Sequence, residues 1–223
     1  MTNELIFLFH TIAITGTVAG AAYLGQHALT SIIVIFGLLA NLFVTKQITL
    51  FGLDVVCVDV FTVGGTLGLL LLQEYWGHAA AKKAIFTTMF ILATYVMLGF
   101  FHLWYTPNSF DSTQAHFVAL LTPMPRIIIA SFIAYAAGQL TALYCATVFS
   151  KFVAGGYQGI RTLTAVACSQ LVDTVIFSFI ALYGIVHSVF QVIIISYVIK
   201  LLASACGSLS IAYLQKFFNL GNH

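Results

Sequence analysis

The residues that could do chemistry in this chain are polar groups set within long apolar stretches. Ser169, Gln170, Asp173 and Thr174 stand at i, i+1, i+4 and i+5. On a helix these positions share one face. Ser131, Tyr135 and Gln139 follow one another in steps of four, and Arg126 precedes them. Lys200 sits mid-way along the last apolar stretch, between Tyr197 and Ser204, and Asn41 lies near the end of the second. The third opens with Asp54 and Asp59 and closes with Glu74-Tyr75-Trp76-Gly77. A charged side chain at a bilayer centre costs about 2.5–3.5 kcal/mol, a cost tolerated where the group faces a partner or a wet cavity. The face around Asp173 is expected to bind substrate or carry a proton, or else to tie helices together. Lys200 requires a carboxylate, and Asp173 on the preceding span is the expected partner. The Gln139 amide offers both donor and acceptor to a heterocycle edge. Arg126, close to an interface, could equally snorkel to headgroups, and Glu74 could pair with Lys82 or Lys83.

The elements that must position these groups follow from composition. Of 223 residues, 61% are hydrophobic and 6% charged, against about 25% charged in soluble domains. This excludes a water-soluble fold, a DNA-binding protein and a disulfide-stapled secreted module. Stretches near 5–25, 28–45, 55–73, 84–105, 126–149, 162–184 and 188–214 are long enough, or nearly so, to cross a bilayer, which takes about 20 residues. Runs such as Ile32-Ile33-Val34-Ile35-Phe36 are apolar all round, which favours helices over barrel strands. The expected fold is an all-α polytopic membrane bundle of six or seven transmembrane helices, one domain over residues 1–223. The first span lacks a basic flank and is too long for a secretory signal, so it is expected to stay.

Lys82 and Lys83, Lys151 and Arg161, and Lys216 fall on one side of the membrane only with seven spans. The N-terminus is then outside and the C-terminus in the cytoplasm. Lys46 is the exception. Segment 106–125 reads as an external loop with a short interfacial helix over 110–121, and Gly155-Gly156-Tyr157-Gln158-Gly159 as a flexible turn. Neither a P-loop, a nucleophile elbow nor a metal-ligand spacing occurs in the sequence. No enzyme, cofactor or metal is expected. His10 and His102 read as packing residues, as do Cys57, Cys145, Cys168 and Cys206.

Further strings are similar to a known family. Leu39-Ala40-Asn41 with Lys46 and Phe51-Gly52, and Glu74 and Gly77 with Ala81-Lys82-Lys83-Ala84, form its first part. Pro125-Arg126-Ile127, Ala130-Ser131, Ala134-Tyr135 and Gln139 form the next. Arg161, Ser169-Gln170-Leu171, Asp173-Thr174 and Phe177, and then Tyr197 and Lys200, complete it. Over residues 39–205 this order resembles the queuosine precursor transporter family, also described as vitamin uptake transporters. Leu70, Ala142 and Gly207 stand where family members often carry acids. The resemblance implies a bundle like the substrate-binding components of energy-coupling vitamin transporters. It also implies import of 7-deazaguanine bases (queuine or its cyano and aminomethyl precursors) across the bacterial inner membrane without an ATPase of its own. The alternative is carriage of another small heterocycle or vitamin, with a separate ATPase module. The candidate substrate-binding set is Asn41, Glu74, Arg126, Tyr135, Gln139, Gln170, Asp173 and Lys200, with Phe177 or Tyr197 available for stacking. Expected partners are the nucleobase-like substrate and the lipid bilayer, with no nucleic acid, and a two-fold homodimer is the default assembly.

Overall fold

The computed structural model describes residues 2–56, 58–152 and 158–202. The Gly155-Gly156-Tyr157 part of the expected turn, Cys57, Cys206, Gly207, Lys216 and the end of the seventh span lie outside them. Helices α1 (Asn3–Leu24) and α2 (Gln26–Phe43) meet at Gly25. A hairpin of β1 (Gln47–Leu50) and β2 (Leu53–Val56) leads into α3 (Asp59–Trp104). Then come α4 (Gln114–Leu121), α5 (Met124–Phe152) and α6 (Gln158–Phe177), which runs into a π-helical turn at Ser178–Leu182. The last described helix is α7 (Val189–Leu202).

α3 has 46 residues, roughly 69 Å if it were straight at 1.5 Å per residue, more than twice the hydrocarbon core. It does not run straight. Gly77, at φ 82° and ψ 171°, takes a conformation open essentially to glycine alone. A Cβ added at Gly68 would meet Ile33 Cγ1 at 2.7 Å, and one added at Gly37 would meet Thr88 Cγ2 at 2.9 Å. Residues 68 and 88 therefore sit beside positions of α2 one turn apart, although twenty residues of straight helix span about 30 Å. The chain doubles back at Gly77, and 59–76 and 78–104 are two antiparallel limbs. Counting both limbs, the described residues hold seven apolar helical segments, of which Val166–Leu182 and Val189–Leu202 are shorter than a full span. The short helix expected within 110–121 is α4, and Pro125 occupies the first turn of α5, where a missing N–H costs nothing.

The hairpin was not expected. The sequence predicts a helix from residue 55, whereas Val55 and Val56 belong to β2 and the helix starts at Asp59. Hydropathy cannot separate a buried strand from the helix that follows it.

Two apolar clusters form the interior. One joins α1, α2 and both limbs of α3 through Ile14, Val18, Leu29, Phe36, Leu71 and Ala84. The other joins the hairpin base, α5, the π turn and α7 through Val44, Val56, Ile127, Leu182 and Val192. Outward faces carry Leu5, Leu8, Phe9 and Ile12 on α1 and Phe86, Phe90, Met97 and Phe101 on α3, all exposed. Large exposed apolar side chains at helical spacing are what lipid contact requires.

Candidate functional site

Between the two clusters lies a cavity of about 290 Å3. Its walls are apolar, with Leu69, Met89, Leu92, Phe132 and Phe177 among them. Among the described residues its charged side chains are Asp59, Asp173 and Lys200. Its polar lining among the described residues also includes Asn41, Thr62, Thr88, Ser131, Tyr135, Thr174, Ser178 and Ser196. An apolar pocket with a few convergent polar groups is the usual form of a small-molecule site.

Asp173 and Lys200 pair as expected. Lys200 Nζ donates to Asp173 Oδ2 at 2.7 Å and to Thr174 Oγ1 at 3.1 Å. Asn41 is 8% exposed. Its Nδ2 donates to the Gly37 carbonyl at 2.7 Å, which fixes the amide's orientation and turns Oδ1 the other way. That oxygen has no hydrogen-bond partner among the described residues. A buried acceptor left without a donor costs about 1–3 kcal/mol, and a guest with N–H groups could recover it.

Asn41, Tyr135, Asp173 and Lys200 line the cavity. Glu74, Arg126, Gln139 and Gln170 do not. Arg126 donates from Nε to the Ile180 carbonyl at 2.6 Å and from Nη2 to the Tyr183 carbonyl at 2.7 Å. It satisfies carbonyls where the helix ends in the π turn, as helix C-termini require. Gln139 is exposed. Steps of four on a helix of 3.6 residues per turn drift, so Gln139 is rotated roughly 80° from Ser131 and leaves the cavity side. Gln170 is half-buried, and its neighbour Ser169 donates to the Gly138 carbonyl at 2.9 Å, joining α6 to α5. Glu74 is exposed near Gly77.

Asp59, Thr62, Ser178 and Ser196 were not assigned a role from sequence. Asp59 is 4% exposed and accepts from Ser196 Oγ at 3.1 Å. One signal existed: Ser196 and Lys200 are four apart and share a face of α7. Among the described residues no group of His, Cys, Asp or Glu is placed to hold a metal ion.

The hairpin stands at the cavity's edge, where Val56 and Val58 join the lining. It is tied to the α6–α7 connection and to the first turn of α7. Gln47 Oε1 accepts from the His187 backbone N–H at 2.8 Å, Asp54 Oδ2 meets His187 Nδ1 at 3.0 Å, and the Asp54 N–H donates to Gln191 Oε1 at 2.6 Å. It is also tied to α1, where Glu4 accepts from the Phe51 N–H at 3.1 Å and Asn3 donates to the Thr49 carbonyl at 2.8 Å.

Residues 67–215 match the family model described as "Putative vitamin uptake transporter". A curated relative from Bacillus subtilis (strain 168), named "Probable queuosine precursor transporter", is 32% identical over 183 residues, covering 79% of this chain and 78% of its own. No solved structure matches. With a bundle of apolar helices, an apolar cavity lined by a few convergent polar groups and a match over most of its length, the chain belongs to the vitamin uptake transporter family of integral membrane proteins.

Proposed function

We propose that this protein imports 7-deazaguanine bases, precursors of queuosine, across the bacterial inner membrane by a secondary or facilitated mechanism. The observation that carries the reading is the chamber's surplus of acceptors. Asn41 Oδ1 has no donor among the described residues, and Asp173 holds Lys200 through Oδ2, leaving Oδ1 for a guest. A guanine-like base offers an amino–imino pair of N–H groups, which a carboxylate accepts together. The cavity is close to the lower end of small-molecule sites, about 300 Å3, which suits one flat bicyclic base. Tyr135 and Phe177 supply aromatic faces. The name of the Bacillus relative supports the same cargo class. The N-terminus lies outside and the C-terminus in the cytoplasm, since the exposed Lys82 and Lys83 stand by the Gly77 turn.

The test is uptake of labelled queuine and its cyano and aminomethyl precursors by cells lacking their own synthesis and import. Expression of the chain should produce accumulation, and Asp173→Asn should reduce it at least tenfold, or about 1.4 kcal/mol. Transport unchanged in Asp173→Asn would remove that residue from the site. Uptake that appears only when an energy-coupling ATPase module is co-expressed would favour the binding-component reading.

A further inference from the structure

Asp59 is a buried carboxylate that base recognition as described above does not use. It faces the same cavity, is 4% exposed, and among the described residues accepts one hydrogen bond, from Ser196. Among the described residues the titratable and charged groups around it are few. From α7, Lys200 is already bonded to Asp173 at 2.7 Å. From α6 there is Asp173 itself, and from α5 the Tyr135 phenol. From α2 comes the Asn41 amide, an acceptor where a donor is needed. From the second limb of α3 there are Thr88 and Met89, which carry no charge. His10 of α1 lies edge-on to Phe61, ring centres 5.0 Å apart. At the rim, Asp54 and His187 bond each other. Two carboxylates thus share one ammonium, and the closer pair uses it. The first-turn position of Asp59 at the start of α3 and the more distant Lys200 offset part of its charge, but a carboxylate without a directly bonded cation in an apolar chamber still costs free energy when water is excluded. One hydroxyl is also too few ligands for a metal cation, which would require a shell of oxygens.

We propose that Asp59 is a proton-carrying site, and that each base enters together with one proton. This deepens the base-import reading and rests on it. Protonated Asp59 becomes an O–H donor in a chamber whose unused groups are acceptors. It can then hold the ring carbonyl of the base, which a bare carboxylate would repel. Proton and base therefore stabilise each other in the closed chamber. The proton comes from the outer solution, sits on a carboxyl oxygen through the crossing, and leaves to the inner solution when water re-enters. Asp59 returns to its starting state.

The experiment uses the full chain purified into liposomes. Under an inward proton gradient the wild type should concentrate the labelled cyano base, the uncharged one of the three, up to about tenfold per pH unit for one proton per base. Asp59→Asn should lose this concentration, and any remaining base exchange should no longer depend on pH. A second readout needs no substrate. The infrared carboxylic-acid carbonyl band of the purified protein should titrate with pH, vanish in Asp59→Asn, move its titration to lower pH in Asp173→Asn, which frees the Lys200 ammonium for Asp59, and change frequency in Ser196→Ala, which removes the donor and keeps the carboxyl. Base uptake indifferent to the gradient, or no band assignable to Asp59, would overturn the proposal and leave base import standing. A titrating Asp59 band in a protein that moves none of the bases would support the proton site and sink the cargo instead.

Discussion

Lys200 and Asp173 hold each other with 13% and 27% of their side chains exposed. Breaking such a pair on one side strands a charge, whereas replacing both partners is far milder. Lys200→Met alone should destabilise the detergent-solubilised protein by about 3 kcal/mol. The double variant Lys200→Met/Asp173→Asn should recover more than half of that in the same thermal unfolding assay. Asn41→Leu makes the opposite kind of prediction. It removes an acceptor that is orphaned without a guest, so the empty protein should gain up to about 1 kcal/mol. Equilibrium binding of labelled base should weaken at least tenfold. A site residue commonly trades stability for function in this way. The pair was legible in the sequence because a carboxylate and an ammonium on successive apolar spans have few other ways to be satisfied. The exclusion of Gln139 was not, because a step-of-four stripe looks straight on paper and winds round a real helix. Nor was Asp59's depth, since it stood at a span's edge until the hairpin covered it.

At the scale of elements, the Gly77 turn makes two spans of one long helix. Its backbone conformation is strained for any residue with a Cβ, so Gly77→Ala should cost about 1–3 kcal/mol and lower the yield of folded protein on size-exclusion chromatography. The two-residue hairpin turn has positive φ at both Phe51 (53°) and Gly52 (79°), the pattern of a type I′ turn that favours Asn-Gly. Phe51→Asn should therefore raise the melting temperature slightly. Before α4, the Asp111 carboxylate accepts from the Thr113 N–H at 2.6 Å and its hydroxyl at 2.8 Å. These bonds hold Asp111 below the usual carboxylate range. The ordering they give is present above the ordinary value and lost as pH falls through the depressed one. Hydrogen exchange at Thr113 should thus quicken only in acid below about pH 3.8, and Asp111→Asn should remove most of that pH dependence. The span helices were readable from apolar length alone. The hairpin was not, because two four-residue strands with β-branched apolar ends merge into the hydropathy of their neighbours.

For the whole molecule, the seven-span arrangement predicts that a reporter active only in the cytoplasm works when fused after residue 223 and fails when inserted in segment 105–113. The reverse result would invert the orientation. The family match begins at residue 67, yet Asn41, Val56, Asp59 and Thr62 of the chamber wall come before it. The matched part alone therefore leaves the chamber incomplete, and swaps of the first 66 residues between relatives should change which base is preferred. Bundle topology was legible because lipid imposes it, whereas the chamber's location depended on how α3 folds back. The hairpin's ties to both α1 and the 183–191 connection have a practical corollary for anyone wishing to watch this protein work. A fluorophore or epitope placed between Phe51 and Gly52 would pry apart the seam that joins the beginning of the polypeptide to its later part. The 105–113 stretch, whose described side-chain bonds are internal to it, offers a mooring where a probe can ride without disturbing what it reports.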